Sequence, residues 1–174
     1  MDMLDSLSQQ VGEVLLKAGA TLSSAESCTG GLVASTVIDT AGSSQWFERG
    51  FVTYTNQAKM DVLHVSAQTL ATYGAVSEQT AAEMVLGVLA NINTSAFYAQ
   101  RAEQWAVSTT GVAGPGGGSV TKPVGMVCFG FARQKPGQSA ELVQTSTQYF
   151  NGTRTQIRQQ AVAYVLRELM RLLG

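Results

Sequence analysis

Four side chains in the N-terminal part of the chain have the types needed for nucleophilic catalysis: Ser27, Ser44, Tyr54 and Lys59. A serine hydroxyl is a weak nucleophile until a base takes its proton. Lysine serves as that base only when neutral, which requires desolvation or nearby positive charge to lower its pKa. Tyr54 falls near the end of an expected strand, and Lys59 lies in the first turn of the helix after it. The two can therefore face one another across the junction, with the tyrosine relaying a proton. Ser44, within Gly42-Ser43-Ser44, precedes them and is the expected nucleophile, with Ser27 as the alternative. Each also has an ordinary reading: a helix-capping serine, a strand tyrosine, a solvated lysine.

Residues that are missing narrow the chemistry further. The single histidine, His64, sits in Val62-Leu63-His64-Val65 and is read as structural or surface. One histidine supplies no multi-histidine zinc site, so no metal is expected and the base falls to a lysine or a carboxylate. Cys28 and Cys128 are too few for a disulfide framework and match no zinc spacing. Cys28 is read as a small packed hydrophobe before it is read as a nucleophile.

Three further segments can hold a ligand. Ala25-Glu26-Ser27-Cys28-Thr29-Gly30-Gly31 joins a strand to a helix, where free N–H groups and the helix dipole favour an anion or oxyanion. The same stretch also suits a helix cap with close packing. Thr109–Gly118 is rich in glycine and carries Thr110, Gly111, Gly114 and Gly116, followed by Lys122-Pro123-Val124-Gly125. It is neither a Walker A loop nor G-x-G-x-x-G, yet it is longer than a turn needs and reads as a ligand-covering loop. Arg154 and Arg158, four residues apart, share one helix face and either meet a phosphate or remain solvated.

The elements that must position these groups follow from periodicity. Apolar residues recur at helical spacing over 4–18, with Gly19 closing the helix. A strand over 21–25, a helix over 30–39 and a strand over 50–55 come next. Short helices follow at 57–63 and 66–72, the second beginning on a Ser66 cap, and Ser77 caps a longer helix reaching about Asn91. Residues 92–103 show no period and read as a surface connection. Strands are expected at 104–109, 124–133 and 141–150, then a long helix from Thr153 to Leu173 with Asn151 or Gly152 near its cap. Strand–helix alternation followed by consecutive strands gives an α/β fold, one mixed sheet with helices on both faces.

Composition agrees with one domain. The chain has 174 residues, 45% hydrophobic and 13% charged, with a net charge of −1. That is apolar enough for a core, and it lacks the basic footprint of a nucleic-acid-binding protein. No stretch reaches the roughly 18 apolar residues that cross a bilayer, and no signal peptide is evident. A cytoplasmic protein without membrane or nucleic-acid partners is expected.

Taken together, these segments resemble the competence-damage-inducible CinA C-terminal domain family. The matching stretches are Ala25–Gly31, Gly42-Ser43-Ser44 through Gly50, Tyr54, Asn56 and Lys59, and Gly74-Ala75-Val76-Ser77-Glu78. Thr110–Gly117, Lys122-Pro123-Val124-Gly125 and Gly152-Thr153-Arg154 with Arg158 continue the match in register. The resemblance thins over 92–103. No counterpart of the N-terminal nucleotide-binding domain of full-length CinA proteins is present, which suggests the stand-alone amidase type. The resemblance implies a three-layer α/β/α sandwich, frequently dimeric. It also implies hydrolysis of nicotinamide mononucleotide to nicotinic acid mononucleotide and ammonia, within pyridine nucleotide recycling and without a cofactor. Ser44, Tyr54 and Lys59 are the expected catalytic set. Ser27, Thr29, Gly30, Gly31, Thr110, Gly111, Gly114, Gly116, Arg154 and Arg158 are the expected substrate-binding set. An amidohydrolase for another small amide, or a non-catalytic nucleotide-sensing module, are the other readings.

Overall fold

The first helix, α1 (Met3–Ala18), forms where the apolar spacing predicts it and ends at Gly19, whose φ of 66° closes the last turn. The chain then enters β1 (Ala20–Glu26), every residue of which is buried. The computed structural model describes residues 2–92 and 102–174, so most of the expected connection over 92–103 lies outside the described residues. Five strands form one mixed sheet in the order β2-β1-β3-β4-β5. The other strands are β2 (Phe47–Val52), β3 (Glu103–Gly111), β4 (Met126–Gln134) and β5 (Glu141–Tyr149). β1 runs parallel to β2 and β3, while β4 is antiparallel to both of its neighbours.

Helices cover both faces, giving the expected α/β/α sandwich. α1, α2 (Leu32–Ile38) and α6 (Arg154–Leu173) pack on one side. α3 (Asn56–Leu63), α4 (Ala67–Tyr73) and α5 (Glu78–Asn91) pack on the other. The period of two along each strand sorts side chains between the faces. Trp105, Val107, Val127, Phe129 and Phe131 point toward the α1–α6 layer. Their neighbours Ala106, Ser108, Gly130 and Ala132 are small, so α5 comes close to the sheet. Ser108 Oγ donates to Ala81 O at 2.7 Å, and a Cβ on Gly130 would stand 2.6 Å from that same oxygen.

Several boundaries move from their expected positions for local reasons. β2 ends at Val52 because Thr55 is needed as the N-cap of α3, its side chain accepting from Ala58 N. α2 starts only at Leu32, since Gly30 and Gly31 adopt φ of 58° and 95°. α6 is capped by Thr153 rather than by Asn151 or Gly152. Thr153 and Gln156 satisfy one another's backbone N–H groups as a capping box. The Ser66 and Ser77 caps form as expected. Among the described residues no helix is long and apolar enough to cross a membrane.

Candidate active site

Parallel pairing of β1 with both β2 and β3 brings three chain reversals to one edge of the sheet. The turn after β1 carries Ser27, the turn after β2 carries Thr53–Thr55, and the loop after β3 carries the glycines. Ligands commonly bind at the carboxyl ends of such strands. A cavity of about 300 Å³ opens there, lined by Ser27, Tyr54, Lys59, Thr110, Ala113 and Arg154 among others.

Lys59 is the buried cation of this cavity. It projects from the first turn of α3, is only 1% exposed, and makes three contacts. Its Nζ lies 3.0 Å from Ser27 Oγ, 3.0 Å from Thr53 O and 3.2 Å from Tyr54 O. Burial lowers its pKa from the ordinary 10.5. The direction of that shift favours the neutral amine relative to a solvated lysine. Nζ donates to all three oxygens; were the proton directed at Ser27 to leave, the two carbonyls would keep the other N–H groups and the lone pair would face the Ser27 hydroxyl. Lys59 is thus placed to receive the Ser27 proton.

The expected pairing of Ser44 with Lys59 is corrected by this geometry. Ser44 is exposed in a 3-10 turn (Ser43–Gln45) before β2. Phe47 pairs with Leu22 and Val52 with Glu26, so β2 separates Ser44 from the site. Six strand residues span roughly 20 Å. Tyr54 is at the site, but its hydroxyl accepts from Arg154 Nη2 at 3.0 Å, and Lys59 touches only its backbone carbonyl. The expected proton relay through the phenol is therefore not formed.

The turn after β1 holds Ser27 through a buried carboxylate. Glu26 Oε1 accepts from Thr29 Oγ1 at 2.6 Å and Val33 N at 2.8 Å, and Oε2 from Ala34 N at 3.1 Å. Thr29 Oγ1 also meets Thr109 Oγ1 at 2.7 Å. Glu26 thus occupies the N–H groups of Val33 and Ala34 in the first turn of α2, and of the expected Thr29–Gly31 donors Gly30 N donates to Ser27 O. Thr29, Gly30 and Gly31 stand behind the turn and do not line the cavity. Cys28 does line it, but burial pushes its thiol up to about 12, far from a reactive thiolate.

The glycine-rich loop is the other expected source of such donors. Val112 N donates to Met126 O and Gly125 N to Val112 O, which pins the neck of the loop. The next two backbone N–H groups, of Ala113 and Gly114, make no hydrogen bond among the described residues. Both residues are buried and line the cavity. Gly111 and Gly116 line the cavity as expected, and so does Thr110, whose hydroxyl is committed to Ala75 O at 2.7 Å. Ala75, Val76 and Ala113 complete the wall. These apolar residues carry no chemical signal in sequence, although Ala75 and Val76 lie just ahead of the Ser77 cap.

The two arginines differ. Arg154 lines the cavity, with Nη1 donating to Gly114 O at 2.6 Å. Arg158 Nε donates to Cys28 O at 3.1 Å and its Nη2 to Thr29 O at 2.8 Å, so it braces the Ser27 turn from outside the cavity. Among the described residues, no group of three or more His, Cys, Asp or Glu side chains is arranged to hold a metal ion.

Comparisons with known proteins agree with this architecture. The sequence profile of the CinA C-terminal domain matches residues 4–173. The nicotinamide-nucleotide amidohydrolase PncC of Escherichia coli K12 is 49% identical over 166 residues, which cover 95% of this chain and 92% of that protein. A CinA-like protein of Chlorobium luteolum is 44% identical over 94% of this chain but only 36% of its own length. In structure, the competence/damage inducible protein CihA of Agrobacterium tumefaciens superposes with a TM-score of 0.83 at 39% identity, covering all of both chains.

Proposed function

As a member of the CinA C-terminal domain family, the chain is read here as an amidohydrolase, and we propose that it converts nicotinamide mononucleotide to nicotinic acid mononucleotide and ammonia. The observation that carries this reading is the 3.0 Å contact between buried Lys59 Nζ and Ser27 Oγ. The name of the near-full-length relative from Escherichia coli supports the substrate class.

Neutral Lys59 takes the Ser27 proton as Oγ attacks the carboxamide carbon of the nicotinamide ring. The negative oxygen of the tetrahedral intermediate accepts from Ala113 N–H and Gly114 N–H. Each such donor lowers the barrier by about 2.7–4 kcal/mol. The Lys59 ammonium then gives its proton to the amide nitrogen, the C–N bond breaks, and ammonia leaves. Water, deprotonated by Lys59, attacks the resulting ester, and the returning proton restores Ser27. The pyridinium charge of the substrate opposes protonation of Lys59 and so helps to keep the base neutral. A lysine base makes metal-activated water unnecessary. The family resemblance further supports a homodimer acting in the cytoplasm within pyridine nucleotide recycling.

Incubating the purified protein with nicotinamide mononucleotide and a chelator, and separating the products by chromatography, tests this function. Equimolar ammonia and nicotinic acid mononucleotide are expected. Saturable binding without either product would contradict an enzyme and favour a nucleotide-sensing module.

A further inference from the structure

We propose that Arg154 and the Tyr54 hydroxyl form an anion subsite at the mouth of the cavity that takes the terminal phosphate monoester of the substrate. This rests on reading the cavity as the site of nucleotide amide hydrolysis.

Charge and depth carry the assignment. Among the described residues lining the cavity, Lys59 and Arg154 are the ionisable cations, and no carboxylate lines it. Lys59 is buried with a lowered pKa, whereas Arg154 is exposed. Positive charge is therefore concentrated at the mouth. The N-terminus of the 20-residue helix α6 begins at Arg154 and adds its dipole to that charge. Tyr54, 60% exposed, holds its Oη 3.0 Å from Arg154 Nη2, so a hydroxyl donor stands beside the guanidinium.

The present partners of Arg154 are weak ones for a guanidinium. A neutral carbonyl, Gly114 O, and a phenol oxygen accept from it. A phosphate offers charge-assisted, bidentate acceptors that are roughly twice as strong. Arg158, one helical turn further on, has its guanidinium directed to Cys28 O and Thr29 O and lies outside the cavity. The arginines thus divide the work. Arg154 reads the far end of the substrate, and Arg158 positions the turn that carries Ser27.

Steady-state kinetics with nicotinamide mononucleotide and its riboside, together with thermal stabilisation by ribose 5-phosphate, test the subsite on the full chain. Arg154→Ala is expected to raise KM for the mononucleotide about 10- to 100-fold with little change in kcat. It should raise KM for the riboside far less than KM for the mononucleotide, and abolish stabilisation by ribose 5-phosphate. Arg154→Lys should restore part of both losses, which separates charge from folding. An unchanged KM and unchanged ribose 5-phosphate stabilisation in Arg154→Ala would overturn the proposal, as would failure of the unaltered protein to bind that probe. Ribose 5-phosphate binding through Arg154 with no ammonia from any protein would uphold the subsite and sink the reaction. Ammonia release with a KM indifferent to Arg154 would do the reverse.

Discussion

Lys59 Nζ stands 3.0 Å from Ser27 Oγ across 32 residues of sequence, and the same nitrogen is held by the Thr53 and Tyr54 carbonyls. The pair exists because β1 and β2 run parallel and end together at Glu26 and Val52. A serine at the end of one strand then meets a lysine at the start of the helix that follows the other.

The lowered pKa of Lys59 gives a signed pH dependence. kcat/KM should rise with pH along a limb whose inflection lies below the ordinary 10.5, because only the neutral amine accepts the serine proton. Stability moves the same way. Between the folded and the unfolded pKa the unfolded chain binds more protons, so this group's contribution grows as pH rises through that window and is smallest below it. Lys59→Arg, which stays protonated, should lose the limb along with the activity. A limb retained in Lys59→Arg would show that another group is the base.

Glu26 is predicted to be a stability residue as well as the brace of the Ser27 turn. Glu26→Ala strands the N–H groups of Val33 and Ala34 and leaves the Thr29 hydroxyl with Thr109 Oγ1 alone. The expected loss is about 2–5 kcal/mol in urea denaturation. A variant within about 0.5 kcal/mol of the unaltered protein would mean that water replaces the carboxylate there.

The glycines of the loop should divide into two kinds. At Gly125, φ is +95° and a Cβ would overlap the Phe150 carbonyl, so Gly125→Ala should cost more than about 3 kcal/mol. At Gly116 nothing lies within 4 Å of a built Cβ, so Gly116→Ala should change stability by less than about 0.5 kcal/mol. Denaturant midpoints of the two variants check this, and equal losses would contradict it.

Much of the fold was legible because its signals are local. Helical spacing marked α1 and α6, serine caps marked α4 and α5, and β-branched and aromatic runs marked the strands. The site was less legible because it is assembled across strands. Ser44 precedes Tyr54 and Lys59 in sequence, and its spacing made it a plausible partner for both. Only the parallel register reveals that β2 carries the chain away from Ser44 and toward Ser27. The motif around Glu26 was visible as an anion-holding turn, but composition could not reveal that Glu26 itself is the anion at Val33 N and Ala34 N. Arg154 and Arg158 look alike on a helix face; their different partners depend on loops from distant parts of the chain.

The most direct test compares ammonia release from nicotinamide mononucleotide by Ser27→Ala and Ser44→Ala, with a chelator present. Ser27→Ala should lose activity by at least about 10³-fold, while Ser44→Ala turns over like the unaltered protein. Full activity in Ser27→Ala, or its loss in Ser44→Ala alone, would contradict the assignment of Ser27 and Lys59 as nucleophile and base.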